Sequence, residues 1–167
     1  MTALTGRTQG KFLKVQMDDV NGALRDIPVS TINGVGITAD VVDLSALQDA
    51  LGGYLPGQGS VEISITGPFS TKAATTASIT TEAPALTGSH TVLSALNNKS
   101  TPLSFGVYVG MRTHWEAGAP VFGVSYSAAN GVLVRDYTVS DDGMYSATIY
   151  VYPGSATLAW GTTQLTS

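Results

Sequence analysis

Apolar residues recur at every second position through much of this chain, and Gly, Asn, Asp and Pro sit between the alternating runs. That period belongs to half-buried strands and that punctuation to turns. Leu13, Val15 and Met17 share one face of a first predicted strand, with Lys14 and Gln16 on the other. Asn21-Gly22 follows, and both residues tolerate the positive φ of a tight hairpin, so a return strand is expected from about Ala23. There Arg25, Ile27 and Val29 share a face, while Pro28, with no N–H to give a ladder, marks an edge or a strand end. Val61, Ile63 and Ile65 alternate with Glu62, Ser64 and Thr66, and Leu103, Phe105, Val107 and Val109 repeat the pattern. Further strands are predicted over 121–126, 132–140, 144–152 and 156–160. Asp141-Asp142-Gly143 and Pro153-Gly154-Ser155 are the turns between the later ones.

One segment has a helical period, from about His90 to Asn97, where Val92, Leu93 and Leu96 fall on one side. Ser89 is the expected N-cap, because its hydroxyl can accept from a free backbone N–H. Asn97-Asn98 is the expected stop, and a shorter helical turn is predicted over Ser45 to Leu51.

Two segments resist a strand reading. Asp40 to Ser60 reads as a long connection, yet it carries Val41, Val42, Leu44, Leu47, Leu51, Tyr54 and Leu55. A solvated loop has no reason to be so apolar, so it either folds onto its own core or docks on a neighbour. Ser70 to Ala85 is rich in Thr, Ala and Ser and reads as a surface linker. With no internal repeat and no domain boundary, the expected fold is mainly β. It is a sandwich or barrel with one flanking α-helix and a long inter-strand loop, formed by residues 1–167 as one domain. Residues 1–10 are the expected N-terminal arm and 162–167 the C-terminal tail.

Composition narrows the function. Only 12% of residues are charged against 43% hydrophobic, where soluble domains average about 25% charged. A charge-poor surface is weakly protected against sticking to neighbours, which hints at cover by other subunits. The formal net charge of −4 and eight scattered Lys and Arg residues supply no basic stripe for phosphate. Cysteine is absent, which removes disulfides, thiolate metal sites and thiol nucleophiles. The first residues lack an apolar core of signal-peptide length, and no stretch approaches a membrane span. Folding in the cytoplasm is the expectation.

Catalytic chemistry is hard to assemble from these residues. His90 and His114 are the two histidines; His90 is expected to be a solvated helix residue and His114 a loop residue. No Gly-x-Ser-x-Gly elbow occurs, since Gly123-Val124-Ser125-Tyr126-Ser127 lacks its final glycine. Asp18-Asp19-Val20-Asn21-Gly22 lacks the alternating ligands and closing glutamate of a calcium loop, and a tight turn explains it. No catalytic residue, cofactor or metal ligand is expected.

The order of the pieces resembles the tail tube proteins of long-tailed bacteriophages over about Lys11 to Gly161. Leu24-Arg25-Asp26-Ile27-Pro28-Val29 looks like that family's return strand. Val41-Val42-Asp43 and Leu55-Pro56-Gly57 are similar to the two ends of its long loop. The strand 60–65, the helix 90–96 and the closing strands match in order. Leu47-Gln48-Asp49 departs from the Phe-Gly-Asp stretch that members often carry, and Gly67-Pro68-Phe69 replaces an acidic turn.

The resemblance implies a virion structural protein that assembles with itself. Hexameric rings would stack into a tube that conducts DNA during ejection, with the tape measure protein and other tail proteins as partners. It implies that the loop residues Val41, Val42, Leu44, Leu47, Leu51, Tyr54 and Leu55 meet another subunit. An acidic lumen would repel phosphate, and Glu62, on the polar face of its strand, is the candidate lumen residue; an ordinary solvated strand residue is its plain alternative. DNA would pass without specific binding. Rival readings are a capsid decoration or tail terminator protein, and a carbohydrate-binding sandwich using Trp115, Tyr126, Tyr150, Tyr152 and Trp160 as platforms. A small hydrolase is the remaining rival.

Overall fold

The computed structural model describes residues 13–43, 54–75, 86–109, 118–128, 130–153 and 158–166. Eleven strands and one helix follow one another along them. They are β1 (Lys14–Asp18), β2 (Leu24–Ile27), β3 (Thr31–Asn33), β4 (Thr38–Asp43), β5 (Tyr54–Ser60), β6 (Glu62–Pro68), α1 (Ser89–Leu96), β7 (Phe105–Tyr108), β8 (Val121–Val124), β9 (Val132–Val139), β10 (Met144–Val151) and β11 (Ala159–Gly161). Every strand pairing is antiparallel.

Two sheets share one core. The first has the order β11-β8-β7-β1-β2 and the second β3-β6-β10-β9. Val15, Met17, Ile27, Phe105, Val107, Phe122 and Val124 of the first pack against Ile63, Ile65, Val134, Tyr145, Ala147 and Ile149 of the second. Period-two alternation in β1, β6 and β10 therefore does what the sequence predicts: it sends one set of side chains inward. The β1–β2 hairpin turns at Asp19–Ala23, with Gly22 at φ +76°. Asp19 organises that turn by accepting from the backbone N–H groups of Asn21 and Ala23 and from Arg25 Nε at 2.7 Å.

Helix α1 touches both β9 and β2 and lays Val92, Leu93 and Leu96 into the core. Its flanks cap sheet edges. Thr87 N–H donates to Asp26 O on β2, and Asn98 N–H donates to Val134 O on β9. The expected Ser89 cap is corrected. Gly88 is the N-cap, and Ser89 is the first helical residue, its hydroxyl donating to Pro68 O at 2.9 Å. Ser89 is spent on tying the helix to the end of β6. A Cβ on Gly88 would stand 2.4 Å from Lys72 N, so only glycine lets residues 70–72 run so close. The start of the expected 70–85 linker is thus pinned to the helix. Gly88 and His90 N–H groups donate to Lys72 and Ser70 carbonyls, and Thr75 exchanges hydrogen bonds with Thr87.

The long loop is also corrected. The two ends of the 40–60 stretch are strands, β4 and β5, forming a separate two-stranded ribbon with Val42 opposite Leu55 and Asp43 opposite Tyr54. Backbone pairing satisfies polar groups that a structureless loop of that length would leave to water. Val41 opposite Pro56 sits beside a register irregularity, the kind of place a strand tolerates proline. The predicted helical turn over 45–51 and the expected arm 1–10 lie outside the described residues.

Candidate functional site

No group of three or more metal-ligating side chains forms among the described residues, and the candidate site is a set of surfaces. The expected lumen residue, Glu62, is exposed at the start of β6, opposite Tyr150 of β10. Its neighbours on the outward face of the four-stranded sheet are Ser64, Thr66, Ser146 and Thr148, with Thr31 and Asn33 from β3. This is a hydroxyl-rich wall. Its cation, Arg135, lies over the Tyr150 ring at 5.5 Å.

The expected interface residues divide. Val41 is 65% exposed on the ribbon, and Ile37 beside it is 57% exposed. Val42, Tyr54 and Leu55 lie on the paired part of the same ribbon. Leu44, Leu47 and Leu51 lie outside the described residues. The ribbon therefore carries β-branched residues on an element that belongs to neither sheet.

The outward face of the five-stranded sheet is different, and sequence reasoning missed it. Lys14, Gln16 and Asp18 alternate with the core residues of β1, and Gln16, Asp18 and Asp26 are all buried. Gln16 Nε2 donates to Asp26 Oδ1 at 2.8 Å, and Lys14 Nζ stands 3.8 Å from Asp26 Oδ2. Ser104 N–H donates to Asp18 Oδ2 at 2.8 Å. Burial pushes the Asp18 carboxyl above the ordinary carboxylate value, although the Ser104 bond opposes it. Burial lowers Lys14, with Asp26 opposing. Beside them Tyr108 is pushed up to about 12, chiefly by burial.

The chain's last segment covers part of this face. Leu165 is buried with Tyr108 and Val121. It lies over Gly106 and Gly123: a Cβ on Gly106 would meet Leu165 Cδ1 at 2.5 Å, and one on Gly123 would meet Leu165 Cδ2 at 3.2 Å as well as Phe105 O at 2.5 Å. Two paired glycines make a notch that no other residue could leave open, and Gly106 faces Gly123 across β7–β8. Leu165 N–H donates to Tyr108 Oη at 3.0 Å, Ser104 Oγ donates to Thr166 O at 3.1 Å, and Thr166 N–H donates to Ser125 Oγ at 3.0 Å. The signal was the glycine at alternate strand positions, but the partner could not be named without the fold.

The remaining candidates fall apart spatially. His90 is half-buried, not solvated: Nδ1 is 3.0 Å from Tyr137 Oη, and the Phe69 ring lies 5.0 Å away. His114 and Trp115 lie outside the described residues. The Trp160 ring lies 5.2 Å from that of Phe122, tilted by 53°, and Trp160 is 51% exposed, with Tyr126 also exposed beside the same groove of about 500 Å³. Tyr150 on β10 lies under Arg135, in the other sheet from Trp160 on β11.

No protein-family model matches the chain, and no curated protein matches it. Solved structures do. A chain of an extracellular contractile injection system, the PVC sheath-tube complex in its extended state, matches with a TM-score of 0.53 and 15% identity, covering 89% of each chain. A chain from the tail of an empty GTA particle, solved with C6 symmetry, matches with a TM-score of 0.51 and 16% identity, covering 95% of this chain and 100% of that one. The tube-terminating cap of the anti-feeding prophage matches with a TM-score of 0.50 and 13% identity, over 90% and 91%. The fold is one used in phage-tail-like particles.

Proposed function

We propose that this chain is the structural subunit of a phage-type tail tube, assembling as hexameric rings that stack into the conduit for DNA ejection. The observation that carries this reading is the fold, which over 95% of the chain matches a tail chain solved with C6 symmetry. The whole chain acts as one tube domain. Edges of the four-stranded sheet join between copies, which removes the unpaired strands a monomer leaves open. The outward face of that sheet lines the lumen, with Glu62 toward the DNA. The net charge of −4 keeps phosphate from adhering, and the hydroxyls beside Glu62 offer no fixed cation except the ring-bound Arg135. The ribbon carries Val41, Val42, Tyr54 and Leu55, with Leu44, Leu47 and Leu51 between its strands, to an adjacent subunit or the next ring. Stacking is head-to-tail and does not close, which generates a filament.

The subunit is then non-enzymatic and belongs to the virion tail, is assembled in the bacterial cytoplasm, and meets the tape measure protein inside the tube. DNA passes without specific binding. A tube terminator is the second reading, favoured by the match to a tube-terminating cap. Negative-stain microscopy of the concentrated protein separates them: tubes that lengthen with time support the subunit, and single rings that never stack support the terminator. A dispersed monomer at high concentration overturns both.

A further inference from the structure

The C-terminal segment is held to the sandwich by a small set of contacts that are all to the body. Leu165 fills the Gly106–Gly123 notch, and three hydrogen bonds join Leu165 and Thr166 to Tyr108, Ser104 and Ser125. Between that anchor and β11, Thr162, Thr163 and Gln164 are exposed. β11 itself is three exposed residues at the outer edge of its sheet. The segment thus leaves from the margin of the molecule over an exposed hinge, into a slot read mainly by backbone groups and one leucine.

Resting on the self-assembly proposed above, we infer that the slot is an exchange site: in the polymer it takes the C-terminal segment of a neighbouring copy. The physical reason is reciprocity. A segment whose contacts are all to the body makes the same contacts in a second copy, so exchange costs no bond. What disfavours it in a dilute monomer is concentration alone, and packing copies side by side raises the effective concentration to the millimolar range. Three residues separate Gly161 from Leu165, and the four Cα-to-Cα steps between them reach roughly 13 Å when extended. Exchange therefore requires a neighbour seated against the β11 edge, where the groove beside Trp160 and Gln164 stands open.

The absence of cysteine makes the test direct. Variants Ser125→Cys and Thr166→Cys are mixed, concentrated until sedimentation shows assembled particles, oxidised and run unreduced. Exchange predicts a covalent dimer well above that of either variant alone, and a ladder of multimers from the double variant. The exposed pair Ser127→Cys and Gln164→Cys, joined with a bismaleimide, repeats the test without touching the slot and must give the same dimer. Assembled particles whose double variant closes within each chain, with no mixed dimer, overturn exchange and leave the tube intact. If sedimentation finds only monomers, exchange and the tube reading fall together.

Discussion

The two sheets are alike on their inner faces and unlike on their outer ones. Inside, both present Val, Ile, Phe and Tyr to one core. Outside, the four-stranded sheet shows an open wall of Ser and Thr with Glu62. The five-stranded sheet hides Gln16, Asp18 and Asp26 and receives Leu165 in a glycine notch. Open hydroxyls keep their water and contribute little to stability. A buried carboxylate is costly unless donors match it, so deleting the well-partnered Asp26 is expensive. One outer face is left open to water, and the other is filled by buried polar partners and by Leu165.

The sharpest way to break this contrast is Asp26→Ala. It leaves Gln16 Nε2 and the half-buried Lys14 without their partner and should cost about 3 kcal/mol in urea unfolding, the range for uncovering one half of a buried pair. Leu165→Ala should cost about 2 kcal/mol, the lower end for large-to-small core changes, since the site is shallow and can close. Ser146→Ala on the open wall should stay within about 0.5 kcal/mol by the same measurement. A cost above 1 kcal/mol there would mean the wall is not free.

Two adjacent carboxylates sharpen the comparison through pH. Asp18 has its folded pKa raised, so the native state binds its proton more tightly than the unfolded chain. Stability from this group therefore falls as pH rises from the ordinary carboxylate value through the raised one. Asp19 is also pushed up by burial, but the N–H groups of Ala23 and Asn21 and the Arg25 guanidinium outweigh that and hold it low. Its contribution is present above the ordinary value and is lost as pH falls through the depressed one. Asp18→Asn should flatten the first slope and leave neutral-pH stability equal or higher, because an amide oxygen still accepts from Ser104 N–H. Asp19→Asn should remove the second slope and lower neutral-pH stability, both read from urea midpoints across pH 3 to pH 7. The smallest folding effect is expected from Val41→Asp, at a residue 65% exposed. Its melting temperature should hold while rings or tubes disappear from micrographs.

Much of the fold was legible because alternation is a local property. Val15 and Met17, Ile63 and Ile65, and Tyr145, Ala147 and Ile149 each name their own face without knowledge of the rest. The helix was legible from Val92, Leu93 and Leu96. Its cap was misread because Ser89 had a distant competitor, the Pro68 carbonyl, that no local rule contains. The ribbon was misread because Gly, Pro and Gln in β5 lack strand propensity, and pairing with β4 overrode it.

By itself, then, the sequence determined most strands of the sandwich, the helix, the charge-poor composition and the absence of cysteine, since each is read from the residues themselves or from near neighbours in the chain. It also flagged the ribbon's apolar positions. Only the tertiary structure decided which strands share a sheet, which outer face is buried, and that Leu165 closes over Gly106 and Gly123. Those facts depend on contacts between residues distant in the chain, such as Gln16 opposite Gly106, Ile63 opposite Ile149 and Leu165 over Gly106, and such pairings are set by what packs together, not by what is adjacent.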